Sequence, residues 1–330
     1  MRIVIDGMGT DARPAPDVEG TVLAAREYKN DTMILVGDET ILKQELAKHD
    51  TSGLAIEVVH ASEQIAMGDK PSKVMKSKPN SSMHVGTQLV KDGEADAFVS
   101  MGNTGAAHAI STLSTLKRIR GIKRPALTAV YPFEGYEVIL LDVGANADSK
   151  IEWLLQYAIM GNVYARTVLN RTNPKVGTLS NGEEEGKGNQ MVKELQEQMK
   201  ALPINYIGHV EPREVTERAA DVVIMDGFVG NIFIKTYEAG IRYMGNLLRS
   251  EIKSDVISAA GGLMARGAFS RMRGKLDPRI IGGAPLLGVD GVVIIGHGGS
   301  DALSVKGAIN QARVAVKADL INEIKREINE

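Results

Sequence analysis

Apolar residues occur in short runs along the chain, and longer segments with the spacing of amphipathic helices lie between these runs. The runs are rich in β-branched residues, and several have no polar residue at alternate positions. Such strands are typical of a parallel sheet that helices cover on both faces. The pattern predicts strands over Ile3–Ile5, Met33–Val36, Ala55–Val59, Ala97–Ser100, Val138–Leu141, Lys175–Leu179, Val222–Met225 and Val292–Ile295.

Helices are predicted between these strands. One begins at Ser149, which has capping-box spacing to Glu152, and the last runs from about Asp301 to Ile328 with an apolar stripe. The alternation of strand and helix predicts a doubly wound, mainly parallel α/β fold. No internal repeat and no linker rich in Pro, Gly or Ser divides the chain, so we expect a single α/β domain over residues 1–330.

Residues 232–274 interrupt this alternation. Their pattern is helical, with a predicted break at Gly261-Gly262 and no strand between the helices. We interpret the segment as a helical excursion from the sheet that contacts a membrane or a second subunit.

Composition narrows the class of protein. The chain has 330 residues, 43% of them hydrophobic, with a net charge of -2 and no cysteine, which excludes disulfides, thiolate metal sites and a cysteine nucleophile. A net charge near zero gives no field that would attract nucleic acid. We see no signal peptide and no apolar run of the ~18 residues that a spanning helix requires, so any membrane contact is expected to be peripheral.

Five of the predicted strands lead into loops rich in glycine and small polar residues. The loops are Asp6–Asp11, Gly102–Gly105, Asp142–Asn146, Asp226–Asn231 and Gly296–Ser300. If all strands are parallel, these loops lie at one carboxyl edge, where backbone N–H groups and helix N-termini favour anions. The candidate phosphate- and substrate-binding residues are Asp6, Gly9, Gly102, Asn103, Thr104, Gly105, Asn146, Gly227 and Gly230.

Two other functions fit parts of this pattern. Residues 7–12 match a relaxed dinucleotide fingerprint, and Asp38 ends the next strand, so an NAD-dependent dehydrogenase is one alternative. Pro14 and Pro16 argue against it, because they crowd the segment that should become the phosphate-binding helix. The second alternative is a noncatalytic protein that binds phosphate or an acyl ligand.

Several sequence strings together resemble the bacterial phosphate acyltransferases of phospholipid synthesis. The resemblance covers nearly the whole chain, in order, and its strings are Asp6–Gly9, Ser100–Ala106, Arg124–Thr128, Leu140–Asn146, Gly182–Asn189, Ala220–Asn231, Gly282–Gly288 and His297–Ser300. It implies a fold like that of the isocitrate and isopropylmalate dehydrogenases. Thr10 stands where the family has a second glycine, residues 12–16 are altered, and Ser180 and Asn181 also depart from the family pattern.

The resemblance also implies a reaction and partners. Family members convert an acylated acyl carrier protein and inorganic phosphate to acyl phosphate, which a membrane glycerol-phosphate acyltransferase uses to make phosphatidic acid. They are homodimers of the cytoplasm that associate peripherally with the membrane. No cofactor, metal or nucleic acid is expected.

The candidate catalytic residues are Lys187, Asn231 and His297. Phosphate is anionic near neutral pH and a thiolate is a tolerable leaving group, so the site must mainly hold phosphate against the thioester and stabilise an oxyanion. Lys187 could neutralise phosphate, although it could also be a solvated lysine that balances Glu183–Glu185. Asn231 could cap a helix or point into the site, and His297 could protonate the thiolate or bond to the backbone.

Two basic segments are candidate docking surfaces for an acidic carrier protein or membrane. The first comprises Lys117, Arg118, Arg120, Lys123 and Arg124, which could instead complement a helix C-terminus. The second comprises Arg266, Arg271, Arg273, Lys275 and Arg279, with Asp277 among them. It lies beside an apolar stripe of Ile252, Val256, Ile257, Leu263, Met264, Phe269 and Met272, a pattern typical of a helix that lies on a membrane or covers a dimer face.

Overall fold

The computed structural model describes residues 1–133, 135–276 and 282–329. Strands of these residues form one eleven-stranded sheet. Its strands are β1 (Arg2–Asp6), β2 (Thr32–Gly37), β3 (Ile56–His60), β4 (Ala97–Ser100), β5 (Ala126–Phe133), β6 (Tyr136–Leu141), β7 (Lys175–Leu179), β8 (Asn205–Val210), β9 (Val222–Ile224), β10 (Ala284–Leu287) and β11 (Val292–Ile295).

Helices connect most of the strands. They are α1 (Ala15–Glu27), α2 (Glu39–Leu46), α3 (Pro71–Ser77), α4 (Ser82–Lys91), α5 (Thr104–Ala109), α6 (Ile151–Thr167), α7 (Gln190–Met199), α8 (Pro212–Thr216), α9 (Gly227–Ile252), α10 (Val256–Met264), α11 (Arg266–Leu276), α12 (Ala302–Lys317) and α13 (Leu320–Asn329). Helix α5 continues into a π-helical turn, Ile110–Ser114.

The strand order is β3-β2-β1-β4-β11-β10-β5-β6-β9-β7-β8. Strands β3, β2, β1, β4 and β11 are parallel to one another, and so are β6, β9, β7 and β8. Between these groups β10 is antiparallel to both neighbours, and β5 is antiparallel to β6. The two parallel groups therefore run in opposite directions, and their carboxyl ends lie at opposite edges of the sheet.

Apolar side chains cover both faces of the sheet. One face carries a continuous cluster that includes Ile5 and Ile139 and packs against α1, α6 and α12. The other face carries two smaller clusters, one with Phe98 under α4 and α5, the other with Leu140 beside α9. The α/β class and the mainly parallel sheet predicted from the sequence are confirmed, and the eight predicted strands are present to within two residues at each end.

Three details of the helix predictions are wrong. The predicted capping box at Ser149 does not form, because α6 begins after Lys150 and the Ser149 hydroxyl contacts the Asn146 carbonyl instead. The predicted last helix is two helices, since Asp319 adopts a left-handed conformation with φ of 51° between α12 and α13. Gly261-Gly262 lies inside α10, and the breaks of the helical segment fall at 253–255 and at Ala265.

Candidate functional site

The five glycine loops divide between two edges of the sheet. The loops after β1, β4 and β11 lie at one edge, whereas the loops after β6 and β9 lie at the other, because those strands run the opposite way. The expectation of a single edge is therefore wrong. Lys187 and Asn231, which follow β7 and β9, share the second edge, and His297, which follows β11, lies at the first.

Asp142 organises the loop after β6. Its carboxylate is fully buried and accepts hydrogen bonds from the backbone N–H groups of Leu127, Gly144, Ala145 and Asn146 over 2.7–3.1 Å. Burial raises the pKa of Asp142, and these hydrogen bonds oppose the rise because they favour the ionised form. The loop is thus held in one conformation by a buried carboxyl group.

The side chain of Asn146 points into the protein. Its Nδ2 lies 3.0 Å from Asp142 Oδ2, 2.8 Å from the Pro125 carbonyl and 3.0 Å from the Tyr157 hydroxyl. An amide with these three partners holds the β6 loop against β5 and α6. The substrate-binding role predicted for Asn146 stays a prediction. In the structure its amide nitrogen is bonded within the protein and supports the loop.

The start of α9 packs directly on this loop. An ideal Cβ on Gly230 would lie 1.9 Å from the carbonyl oxygen of Asp142, and one on Gly227 would lie 2.5 Å from the carbonyl oxygen of Asn146. Both positions therefore require glycine for steric reasons. The presence of glycine at positions 227 and 230 is therefore explained without ligand binding.

Asn231 does not cap α9, so that interpretation is wrong. The N-cap is Asp226, whose carboxylate accepts from the N–H groups of Phe228 and Val229. Asn231 lies in the following turn, is exposed, and faces Gly144, on which an ideal Cβ would lie 3.7 Å from Asn231 Cγ. Within the described residues its amide has no hydrogen-bond partner, so it is available to a ligand.

Lys187 lies on the exposed loop between β7 and α7. Its side chain is 49% exposed, and its Nζ lies 3.7 Å from the carboxylate of Glu184, a distance that corresponds to a weak surface ion pair. Asn181 Oδ1 accepts from Gly188 N at 2.8 Å and closes the loop. The ammonium group is thus presented at the same edge as Asn231.

Behind this loop lie polar atoms that the sequence did not single out. The Ser180 hydroxyl and both ring nitrogens of His209 are buried and have no hydrogen-bond partner among the described residues. In the sequence Ser180 is only a departure from the family pattern. His209 is an isolated histidine in β8, a strand that the sequence pattern did not predict.

The other edge holds the remaining predicted residues. Asp6 is buried, accepts from Ser100 Oγ at 2.7 Å and from Met8 N at 3.1 Å, and has a pKa raised by burial. Gly9 and Gly102 pack against neighbouring backbone and side-chain atoms, and Thr104 and Gly105 form the first turn of α5.

Asn103 and His297 are both used within the protein. Asn103 caps α5 through Ala106 N, and its Nδ2 donates to the carbonyls of Met67 and Asp69. His297 is exposed, and its Nδ1 accepts from Gly299 N at 3.1 Å. These contacts favour the backbone-bonding interpretation of His297 and give Asn103 a structural role. Within the part of the chain that the structure describes, no contact links either residue to Lys187.

The dinucleotide alternative loses its acidic residue. Asp38 caps α2 by accepting from Ile41 N at 3.1 Å, so its carboxylate serves the helix and not a ribose. Among the described residues, no group of three or more His, Asp or Glu has the geometry of a metal site.

Comparison with known families identifies the chain. The family model described as "Fatty acid synthesis protein" matches residues 1–323. The chain is 44% identical over 330 residues to the phosphate acyltransferase of Trichlorobacter lovleyi. The alignment covers 100% of this chain and 95% of that protein. The chain belongs to the phosphate acyltransferase family.

Further relatives agree with this family. The phosphate acyltransferase of Halothermothrix orenii is 42% identical over 332 residues, an alignment that covers 100% of this chain and 99% of that protein. The phosphate acyltransferase of Geobacter sulfurreducens is 45% identical over 317 residues, an alignment that covers 96% of this chain and 91% of that protein. The family predicted by the resemblance and the prediction of an acyltransferase enzyme are both confirmed.

Solved structures show the same fold. A phosphotransacetylase from Streptococcus pyogenes superposes with a TM-score of 0.63 at 18% identity and covers 98% of this chain and 94% of its own. A putative 4-hydroxythreonine-4-phosphate dehydrogenase from Salmonella typhimurium superposes with a TM-score of 0.54 at 13% identity. That superposition covers 95% of this chain and 98% of the dehydrogenase chain. At these identities the likeness establishes the fold alone, so the second structure gives no support to the dehydrogenase alternative.

Proposed function

We propose that this enzyme transfers an acyl group from an acyl carrier protein thioester to inorganic phosphate at the edge formed by the loops after β6, β9 and β7. The observation that carries the location is that two polar side chains share this edge. Asn231 is exposed and its amide has no hydrogen-bond partner among the described residues, and Lys187 is half-exposed with only a weak ion pair to Glu184. Acyl transfer from a thioester to phosphate needs a cation and a hydrogen-bond donor more than a strong base.

The chemistry is a direct displacement. A phosphate oxygen attacks the thioester carbonyl, the C–O bond forms, and the C–S bond then breaks to release the thiolate. The proton of the phosphate hydroxyl group ends on the departing sulfur, which gives free carrier protein and acyl phosphate. In this scheme Lys187 neutralises the phosphate, and Asn231 donates to the oxyanion of the tetrahedral intermediate.

The product defines the place of the reaction in metabolism. Acyl phosphate is a mixed anhydride that a membrane glycerol-phosphate acyltransferase would consume to make phosphatidic acid. We propose that the enzyme acts in the cytoplasm and binds the membrane surface peripherally, where that consumer resides. No helix among the described residues is both long and apolar enough to cross a bilayer.

The helical segment α9–α11 supplies the surfaces for these contacts. Val256, Ile257 and Met264 on α10 are 85–90% exposed, and basic residues Lys253 and Arg266 flank them. An apolar tip with basic neighbours suits the interface of an anionic membrane. Of the second basic cluster, Arg273 and Lys275 lie in α11, and Asp277 and Arg279 lie outside the described residues.

The dimer is proposed on the long helix. Tyr243, Met244, Leu247 and Leu248 are exposed apolar residues of α9. Their spacing places them along one side of the helix, which a second copy of the chain would cover. We propose that this side is the subunit interface of a homodimer.

Turnover tests the proposed function. Purified protein is incubated with palmitoyl-acyl carrier protein with and without phosphate, while released thiol is measured and acyl phosphate is trapped as the hydroxamate. Lys187→Ala and Asn231→Ala are expected to lower phosphate-dependent hydroxamate formation by about a hundredfold. Lys193→Ala, which changes an exposed lysine of α7, is the matched control.

Other outcomes would reject parts of the proposal. Thiol release that does not depend on phosphate would indicate a thioester hydrolase. Binding of acyl carrier protein without any turnover would indicate a noncatalytic ligand-binding protein. Full activity in both variants would remove Lys187 and Asn231 from the site.

A further inference from the structure

The loop that leads into β5 lies at the edge of the sheet that carries the candidate site. Strand β5 is antiparallel to β6, so it begins where β6 ends. The carbonyl of Pro125, just before β5, accepts from Asn146 Nδ2 at 2.8 Å. Residues 117–124 therefore lead directly to the β6 loop, whose Gly144 faces Asn231.

The cations of this loop serve different purposes. Lys117 Nζ donates to the carbonyl of Leu113 in the π-helical turn, so Lys117 complements the end of a helix, as the alternative interpretation of this segment required. The guanidinium group of Arg118 donates to the carbonyl of Lys123 and closes the loop. The side chains of Arg120 and Lys123 are exposed and form no ion pair within the described residues.

Two further cations flank the single tryptophan of the chain. The guanidinium carbon of Arg124 lies 5.2 Å from the ring centroid of Trp153, and Nζ of Lys150 lies 6.0 Å from it. The ring is partly exposed, and its N–H donates to the carboxylate of Glu152 at 3.2 Å. Neither cation forms an ion pair in the part of the chain that the structure describes.

Hydrogen bonds join the loop to the helix that carries the tryptophan. Gln156 of α6 accepts from the N–H of Lys123 at 2.8 Å and donates to the carbonyl of Gly121 at 3.0 Å. Trp153 lies three residues before Gln156, on the same side of α6. The loop and the start of α6 thus form one continuous basic surface, which comprises Arg120, Lys123, Arg124 and Lys150.

We propose that the basic surface docks the acyl carrier protein, which brings its thioester to the site beside Asn231. The identity of the partner rests on the proposed function. In a chain with a net charge of -2, four cations without acidic partners form a local positive patch, which complements the acidic surface of a carrier protein. Trp and Arg are also enriched among the residues that contribute most to binding at protein interfaces.

An anionic membrane is the other acidic surface that such a patch could attract. Membrane-surface binding also requires exposed apolar side chains that enter the lipid interface. The two isoleucines of this loop, Ile119 and Ile122, are buried, whereas Val256, Ile257 and Met264 of α10 are exposed. The basic surface therefore fits an acidic protein, and α10 fits the membrane.

Kinetics with two acyl donors test the docking. The docking variant combines Arg120→Glu and Lys123→Glu, and the control combines Lys73→Glu and Lys76→Glu, two exposed cations of α3, which packs against α5 at the other edge. With palmitoyl-acyl carrier protein, the docking variant should lose about tenfold or more in kcat/KM through a higher KM, while the control keeps the natural value. With octanoyl-N-acetylcysteamine, a thioester without a carrier protein, all three proteins should react at the same rate.

Fluorescence of Trp153 separates this inference from the proposed function. Titration of free carrier protein that lacks tryptophan, without phosphate and at low ionic strength, should change the emission of the natural protein and of the α3 control. The docking variant should require about tenfold more carrier protein for the same change. Such binding without acyl transfer would reject the proposed function and keep the docking surface. Acyl transfer with an unchanged KM for the carrier protein in the docking variant would keep the function and overturn the surface.

Two other results would also overturn the docking surface. An equal loss of activity of the docking variant with both acyl donors would show that the two cations act on the site itself or on folding. Loss of flotation with anionic vesicles in the docking variant, with an unchanged KM for the carrier protein, would assign the basic surface to the membrane.

Discussion

The hydroxyl group of Thr10 donates to Oδ2 of Asp17 over 2.6 Å, inside a region that excludes solvent. The other carboxylate oxygen of Asp17 is buried and has no hydrogen-bond partner among the described residues. Burial raises the pKa of Asp17 from 3.8 to about 7, while the Thr10 hydrogen bond opposes the rise and the charge of Asp6 adds to it. The threonine that departs from the family glycine therefore has a specific partner in this chain.

Asp17→Asn is expected to flatten the pH dependence of stability. The pKa of Asp17 is higher in the folded state than in the unfolded state, so ionisation of Asp17 costs no folding free energy below pH 3.8. The cost grows between pH 3.8 and about 7 and is constant above that, at roughly 4 kcal/mol by linkage. Urea unfolding of both proteins from pH 5 to 8 measures the effect.

The variant should gain stability relative to the natural protein as pH rises across this range. Asp6 is coupled to Asp17, so the difference between the two proteins reports on this pair, whereas the contributions of the uncoupled titrating groups cancel. Curves that stay parallel from pH 5 to 8 would show that Asp17 has an ordinary pKa.

Asn146→Ala tests whether the amide is structural or binds substrate. The side chain has three polar partners within the protein, so its removal should lower the free energy of unfolding by about 2–3 kcal/mol. Activity should fall in parallel, because the loop that faces Asn231 loses its support. Urea unfolding and kcat/KM measured on the same preparation decide the question.

A substrate-binding role gives the opposite result for Asn146. In that case stability would stay within experimental error, and only the kinetic constants would change. Asn205→Ala, which removes a long 3.4 Å hydrogen bond at the surface, provides a comparison for the cost of losing an exposed amide.

The sequence pattern located the strands because a run such as Ala97–Ser100 is apolar on both faces, and only a buried strand fits it. It did not reveal β5, whose residues alternate in burial and include Pro132, or β10, which is four residues long and contains Pro285. It also missed the edge strand β8. Strands β5 and β10 are the ones that reverse the direction of the sheet. Strand direction depends on connections and not on local pattern, so the division of the glycine loops between two edges could not be predicted.

The site residues were predicted with mixed success for a related reason. The segment from Asp226 to Asn231 contains two possible caps, and only the backbone shows that α9 begins at the first of them. The close approach of Gly230 to Asp142 joins residues 88 positions apart, a contact that no local spacing indicates.

Gly230→Ala is expected to disrupt the junction of α9 with the β6 loop. The added methyl group would lie 1.9 Å from the Asp142 carbonyl oxygen, and both partners are backbone or rigidly held. We expect a loss of 3 kcal/mol or more, on the order of the most severe overpacking effects, or no soluble protein.

Gly245→Ala, on the side of α9 away from the proposed subunit interface, is the matched control for this substitution. It lies in the same helix, and an ideal Cβ there meets no atom within 4 Å. Replacing a glycine in a helix interior by alanine should raise the free energy of unfolding by about 0.5–1 kcal/mol. Equal effects of the two substitutions would contradict the close packing at Gly230.

The exposed apolar side chains of α10 are expected to be dispensable for folding and required for membrane binding. Val256, Ile257 and Met264 are 85–90% exposed, so changing all three to serine removes little buried area and should leave the unfolding transition unchanged. In flotation with vesicles that contain anionic lipid, the natural protein should float and the triple variant should remain at the bottom. Leu303→Ser, which changes an exposed apolar residue of α12, is the control and should float like the natural protein.

Flotation of the triple variant to the same extent as the natural protein would place the membrane contact elsewhere. An altered oligomeric state of the triple variant by sedimentation would instead assign these side chains to the contact between subunits.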